Sequence, residues 1–163
     1  MFEKEAIRER REFNKELYKK IFKITKKPKK ILDLGCGLNP VYFPYKNIEY
    51  IAVDTNKEAI KKVKKHFKKN KIPGKALNLN LKDPSIKKIK SDIVFLFKVL
   101  DEIPRKSVKT LLNLKTNWFV ISFPTRSITG KRMNKPRRKW FENLAKIHKI
   151  IRFHNEIFYI IKK

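Results

Sequence analysis

The residues whose types and spacing could do chemistry begin at Asp33-Leu34-Gly35-Cys36-Gly37. They follow an apolar pair, Ile31-Leu32, and a lysine-rich approach from Lys26 to Lys30. A buried strand reads this way when it runs into a ligand-binding turn. Gly35 and Gly37 permit backbone angles, and a close ligand approach, that a Cβ would block. Tyr50-Ile51-Ala52-Val53-Asp54 is a second apolar strand ending in an acid. In nucleotide-binding α/β folds, such an acid accepts hydrogen bonds from ribose hydroxyls. The third glycine of a dinucleotide fingerprint is missing, and Asn39-Pro40 stands in its region. The pattern suits a nucleoside without phosphates better than a pyrophosphate.

The residues that are scarce narrow the chemistry further. Cys36 is the single cysteine and lies inside this turn, so the chain has no internal disulfide and no other thiol nucleophile. No Cys/His cluster suggests a metal site. At 163 residues the chain reads as one domain, 1–163, long enough for a full core. No apolar run approaches the ~18–20 residues of a membrane span. The N-terminus is charged and lacks a signal-peptide core, which predicts a cytoplasmic protein. Charge is the loudest feature: 43 Lys+Arg face 15 Asp+Glu, a formal +28. A surface that basic invites a polyanion, and RNA or DNA is the partner that fits.

The elements that must position the turn can be read in order. Apolar residues at helical spacing (Ile7, Phe13, Leu17, Ile21, Ile24, with Tyr18 and Phe22) predict an amphipathic helix over 2–25, ended by Pro28 and packed beside the pocket. After Pro40 there is room for only a turn or two of helix. Residues 49–54 form the second strand, and Thr55 or Asn56 can cap a helix over 57–70 with Ala59, Ile60, Val63 and Phe67 inward. Its other face carries seven lysines, either a solvated surface or a phosphate-tracking patch. Strands follow at 76–81, 92–97 and 118–123, with helices at 104–114 and 136–147. A hairpin, 149–153 and 156–161, closes the chain. This is an α/β fold with a mostly parallel, seven-stranded, Rossmann-like sheet, an N-terminal helix and one reversed strand.

Asp-x-Gly-x-Gly with a later strand-terminal acid resembles motif I of the class I S-adenosylmethionine (SAM) methyltransferases. Several stretches are similar to one family among them, the aminoglycoside-resistance methyltransferases that modify guanine N7 in 16S rRNA. Gly37-Leu38-Asn39-Pro40 matches its extension of motif I, and Ser122-Phe123-Pro124-Thr125-Arg126-Ser127 matches its segment after strand five. Gly130, Arg132 and Met133, Phe97-Lys98-Val99-Leu100, and Arg8-Glu9-Arg10 echo further positions in order. The resemblance implies SAM as cofactor. Arg8 or Arg10 would meet its carboxylate, and Asp33, Gly35, Cys36 and Gly37 would line its methionine portion. Asp54 and Thr55 would hold the ribose, and Asn80 and Leu81 would flank the adenine. Lys98 and Leu100 would sit by the sulfonium and target base. Phe123, Pro124, Thr125, Arg126 and Ser127 would face that base, with Lys131 and Arg132 on the RNA. The family's N-terminal helical docking region has no counterpart before Met1-Phe2, so a target in tRNA, or at a different rRNA site, is as credible as the resistance-type site.

The chemistry that remains open is consistent with this. Cytosine C5 methylation needs a cysteine nucleophile. Exocyclic amine methylation commonly uses an Asn/Asp-Pro-Pro-Tyr/Phe motif, where this chain has Lys98-Val99-Leu100-Asp101. Guanine N7 has an available lone pair and loses no proton, so holding it in line with a methyl donor suffices and no acid–base residue is assigned. Phe123 or Tyr42 is the candidate to stack on a flipped base. Two alternatives share part of the pattern: a small-molecule SAM-dependent methyltransferase, and a basic RNA-binding protein without catalysis.

Overall fold

The computed structural model describes the backbone of residues 2–163 and the side chains of residues 11–163. The first element is α1, Phe2–Thr25. Leu17, Tyr18, Ile21 and Phe22 bury its inward stripe, at the three- and four-residue spacing that puts side chains on one helix face. Lys26 then turns out at φ 64° ahead of Pro28.

Seven strands make one sheet: β1 Lys30–Leu34, β2 Glu49–Asp54, β3 Gly74–Asn78, β4 Ser91–Phe97, β5 Thr116–Pro124, β6 Lys149–Phe153 and β7 Glu156–Lys162. Their order is β3-β2-β1-β4-β5-β7-β6. The first five of that order run parallel, and β7 enters antiparallel between β5 and β6. β4 sits centrally and buries Ile93, Val94, Phe95 and Leu96 consecutively, as a strand covered on both faces must. The helices are α2 Asn39–Tyr42, α3 Lys57–Asn70, α4 Arg105–Leu111 and α5 Lys139–Leu144. One face of the sheet packs against α1 and α3, with Tyr18, Ile21, Tyr50, Val63 and Phe95 in its core. The other face buries Leu32, Val94, Val108, Phe119 and Phe141 beneath α4 and α5.

The sheet, α1 and the closing hairpin stand where the sequence puts them, but three elements differ. β3 begins at Gly74 and ends at Asn78, earlier than the predicted 76–81. Gly74 pairs with Tyr50, where a Cβ would lie 2.1 Å from the Tyr50 carbonyl oxygen. That close approach starts the strand at the glycine. α4 stops at Leu111 rather than 114. α5 covers Lys139–Leu144 rather than 136–147. The residues before it are bound elsewhere: Arg138 donates to the carbonyls of Pro124 and Pro136, and its backbone N–H to the Tyr159 hydroxyl.

Candidate functional site

The strand order reverses between β1 and β4, the place where open α/β sheets leave a crevice at their carboxyl ends. The Gly35–Gly37 turn emerges there. Gly35 and Cys36 both donate backbone N–H groups to the Val53 carbonyl, at 2.8 and 3.1 Å, which ties the turn to the end of β2. Gly35 has φ +69°, and a Cβ on it would meet Val99 Cγ2 at 2.6 Å, so the position excludes a side chain. Gly37 (φ +50°) is the opposite case: a Cβ there would meet nothing within 4 Å, because the turn opens onto a cavity. Asp54, half-exposed, accepts the Gly37 N–H at 2.7 Å through Oδ2 and the Asn56 N–H at 2.8 Å through Oδ1. Its carboxylate is thereby fixed at the rim with lone pairs left over, since two oxygens offer about four acceptor sites.

Beneath the turn lies a buried polar network. Asp33 is 1% exposed. Its Oδ2 accepts the Tyr50 hydroxyl at 2.6 Å and the Asn39 amide at 3.0 Å. The same amide reaches the Tyr50 oxygen at 3.1 Å, and the Asn39 carbonyl oxygen accepts the Tyr18 hydroxyl at 3.1 Å. Burial pushes the Asp33 carboxyl up to about 6 despite these two donors. Burial, and then the Asp33 charge, push the Tyr18 and Tyr50 phenols up as well. Asn39, carried by the Gly-Leu-Asn-Pro string, is the hub of this arrangement. It links the first strand, the second strand and α1.

Asp33, Gly35, Cys36, Gly37 and Lys98 line one cavity of about 460 Å³. α1 supplies a wall through Asn14, Leu17 and Tyr18, and is latched to α2 by Arg11 Nε on the Val41 carbonyl at 2.9 Å. The far wall is Phe97, Lys98, Phe158 and Glu156. Glu156 was not anticipated. Its Oε2 accepts the Ser122 hydroxyl at 2.8 Å, and its Oε1 lies 3.4 Å from Lys98 Nζ. No sequence pattern joins a β7 acid to the lysine that follows β4; only the antiparallel insertion of β7 beside β5 does so.

Other expected residues fall elsewhere. Arg8 and Arg10 have side chains outside the described residues. Thr55 is exposed beside Asp54. Asn80 and Leu81 line a second cavity of about 400 Å³, against Asp83, Ile86, Pro104 and Leu111. Two expectations are corrected. Leu100 is 1% exposed and packs in the core under α4, so it does not face a ligand. Phe123 is 1% exposed, enclosed by Trp140, Phe141 and Tyr159, and so is not a stacking platform. Successive residues of a strand point to opposite faces, and it is Ser122 that points to the cavity side.

Pro124, Thr125 and Ser127 are half-buried in an ordered loop. Thr125 donates to the Asn155 carbonyl, Met133 donates to the Thr125 carbonyl, and Arg126 pairs with Arg132 in an isolated bridge. Arg126 is spent on the loop itself, donating to Asn155 Oδ1 at 2.8 Å and to the Gly130 carbonyl at 2.9 Å. Arg137 and Arg138 are likewise structural, paired with Glu142 at 2.7 Å and Asp101 at 2.8 Å. Lys131, Arg132 and Lys135 are exposed, as are all seven α3 lysines. Among the described residues no helix is long and apolar enough to cross a membrane, and no His/Cys/Asp/Glu group could hold a metal ion.

Comparison with known proteins is consistent with this geometry. The family described as ribosomal RNA methyltransferase (FmrO) matches residues 1–150. A 16S rRNA (guanine(1405)-N(7))-methyltransferase of Proteus mirabilis is 30% identical, over 91% of this chain and 58% of that protein. The chain thus spans a little over half the length of that relative. The solved 16S rRNA methylase ArmA is 32% identical, with a TM-score of 0.72 over 89% of this chain and 79% of its own. The 16S rRNA methyltransferase RmtF, solved with S-adenosyl-L-homocysteine, has the same fold at a TM-score of 0.79 and 21% identity, over 96% of this chain and 64% of its own.

Proposed function

The chain belongs to the FmrO family of ribosomal RNA methyltransferases, and from that premise we propose that it methylates a guanine N7 of ribosomal RNA, using SAM. The observation that carries the reading is the cavity at the β1/β4 reversal, where the Gly35–Gly37 turn opens beside the Asp54 carboxylate. The residues present suit the cofactor. Gly37 leaves its space open, Asp54 retains acceptor capacity for ribose hydroxyls, and the Asp33 carboxylate suits an ammonium. Asp54 and Thr55 are assigned to the ribose, Asp33, Gly35, Cys36 and Gly37 to the methionine side, and Asn80 and Leu81, which line the second cavity, to the adenine side. Bound there, SAM would supply an electrophilic methyl group on a sulfonium.

The chain's own part is positioning. Guanine N7 carries a lone pair and no hydrogen, so its methylation asks for no general base. Rate then comes from holding the reacting atoms at a productive distance and angle, which can contribute roughly 7–11 kcal/mol. The fixed carboxylate of Asp54 and the latched wall of α1 give that rigidity. The polycationic surface supplies the attraction for RNA, and its exposed lysines would release counterions on binding. The test is transfer of a radiolabelled methyl group from SAM to isolated small ribosomal subunits. Incorporation into the RNA supports the reading. Label appearing only in small molecules, or in no product despite SAM binding, contradicts it.

A further inference from the structure

We propose that Glu156 and Lys98 read the Watson–Crick edge of the target base, making Glu156 the residue that selects guanine. The inference rests on the guanine reading above and names the residues behind it.

The pair is built rather than incidental. Lys98 has φ +57°, a left-handed conformation at a non-glycine residue, fixed by its N–H on the Ser122 carbonyl at 3.0 Å. Such a conformation is costly for an L-residue, and an ion pair between exposed groups gains little in return. The Lys98 and Glu156 side chains are 53% and 27% exposed, so the ion pair itself adds little to fold stability. Ser122, wholly buried, orients the acid through Oε2 while Oε1 faces the lysine at 3.4 Å. The two charges stand on the wall of the cavity opened by the Gly35–Gly37 turn.

Side by side, a carboxylate and an ammonium complement guanine. Its Watson–Crick edge offers two adjacent donors, N1–H and the N2 amine, next to the O6 acceptor. A carboxylate takes both donors and an ammonium gives to O6. N7 lies on a different edge and stays available to an electrophile. Cytosine, with a donor where guanine has O6 and acceptors where guanine has donors, reverses the match.

The test compares methylation of small ribosomal subunits whose target nucleotide is guanosine or, by splinted ligation, inosine. Inosine lacks only the N2 amine and keeps N7. The wild-type chain should prefer guanosine by about 10–100-fold, the value of one hydrogen bond to a charged group. Glu156→Gln should reduce that preference to within about 3-fold, because an amide oxygen no longer serves as a charged acceptor. Lys98→Met should slow both substrates equally, since O6 is common to them. An unchanged guanosine-to-inosine ratio in Glu156→Gln overturns the proposal, whether or not both rates fall. So does a loss of SAM affinity in calorimetry with that ratio unchanged, which would assign Glu156 to the cofactor. If Glu156→Gln fails to fold, as judged by thermal unfolding, the wild-type ratio decides: no preference for guanosine overturns the inference. Absence of transfer to guanosine by the wild-type chain brings down the functional reading itself, and this inference with it.

Discussion

The side-chain amide of Asn39 donates to the carboxylate of Asp33 at 3.0 Å, closing the glycine turn back onto the strand it leaves. The same asparagine accepts from Tyr18 on α1, so one amide holds turn, strand and helix together. Replacing Asn39 with alanine strands the Tyr18 hydroxyl and leaves Asp33 with one donor. A buried polar group without a partner costs about 1–3 kcal/mol, so denaturant unfolding of Asn39→Ala should show a loss in that range. A change below a few tenths of a kcal/mol would mean that water replaces the amide without cost and that the hub is not structural.

Asp33 gives a pH signature. Its folded pKa, about 6, lies above the 3.8 of an unperturbed carboxyl, so the folded state binds this proton more tightly than the unfolded chain. The stabilisation that comes from the bound proton is complete below pH ~4 and is lost as pH rises through ~6. At neutral pH the buried charge costs roughly 3 kcal/mol, at about 1.4 kcal/mol per pH unit between the two values. Asp33→Asn removes the titration. The wild-type stability minus the variant's should therefore fall between pH 4 and 7, measured by denaturant midpoints across that range. A difference flat in pH would show that Asp33 titrates as an ordinary surface carboxyl does.

Asp54 should matter to the cofactor more than to the fold. Its carboxylate is fixed by the Gly37 and Asn56 N–H groups at the rim of the turn. Calorimetry on Asp54→Ala should show SAM affinity reduced by roughly 1.5–3 kcal/mol, the range for hydrogen bonds to a charged group. Undiminished affinity would remove Asp54 from the ribose site.

What the sequence carried, and what it withheld, divides along a physical line. Strand positions followed from apolar runs such as 92–97, since a strand covered on both faces must be apolar throughout. The turn followed from Gly35 and Gly37. The side of the sheet on which Ser122 and Phe123 fall was not legible, because a six-residue string does not fix its own parity. Phe123 therefore looked like a base-stacking ring and is a core ring instead. Glu156 escaped notice because its partners, Lys98 and Ser122, are far away in sequence and meet it only through β7 pairing beside β5. Leu100 sat in the right motif and the wrong layer. Charge alone does not separate a free loop cation from a paired one: Arg137 and Arg138 are held by Glu142 and Asp101, acids 5 and 37 residues away in sequence.

RNA affinity should fall steeply with salt, and the loop cations should contribute unequally to α3. Neutralising Lys131, Arg132 and Lys135 leaves the loop's internal bonds through Arg126 intact. Each phosphate contact removed should lower the slope of log affinity against log salt by about 0.7–0.9. The same measurement on Lys61, Lys65 and Lys68 of α3 should show a smaller change. Equal slopes for the two triple variants would mean that the loop after β5 is no privileged contact.

The central claim is methyl transfer to guanine N7 of ribosomal RNA, and one measurement addresses it most directly. Small ribosomal subunits are incubated with the protein and SAM, and the RNA is treated with borohydride and aniline, then digested for nucleoside mass spectrometry. Methylation at N7 leaves a fixed positive charge on the base, which makes the strand cleavable at that nucleotide. The account predicts one new cleavage site and a matching gain of 7-methylguanosine. A methyl group found instead on cytosine, on adenine N6 or on a ribose hydroxyl, with no cleavage, would contradict it.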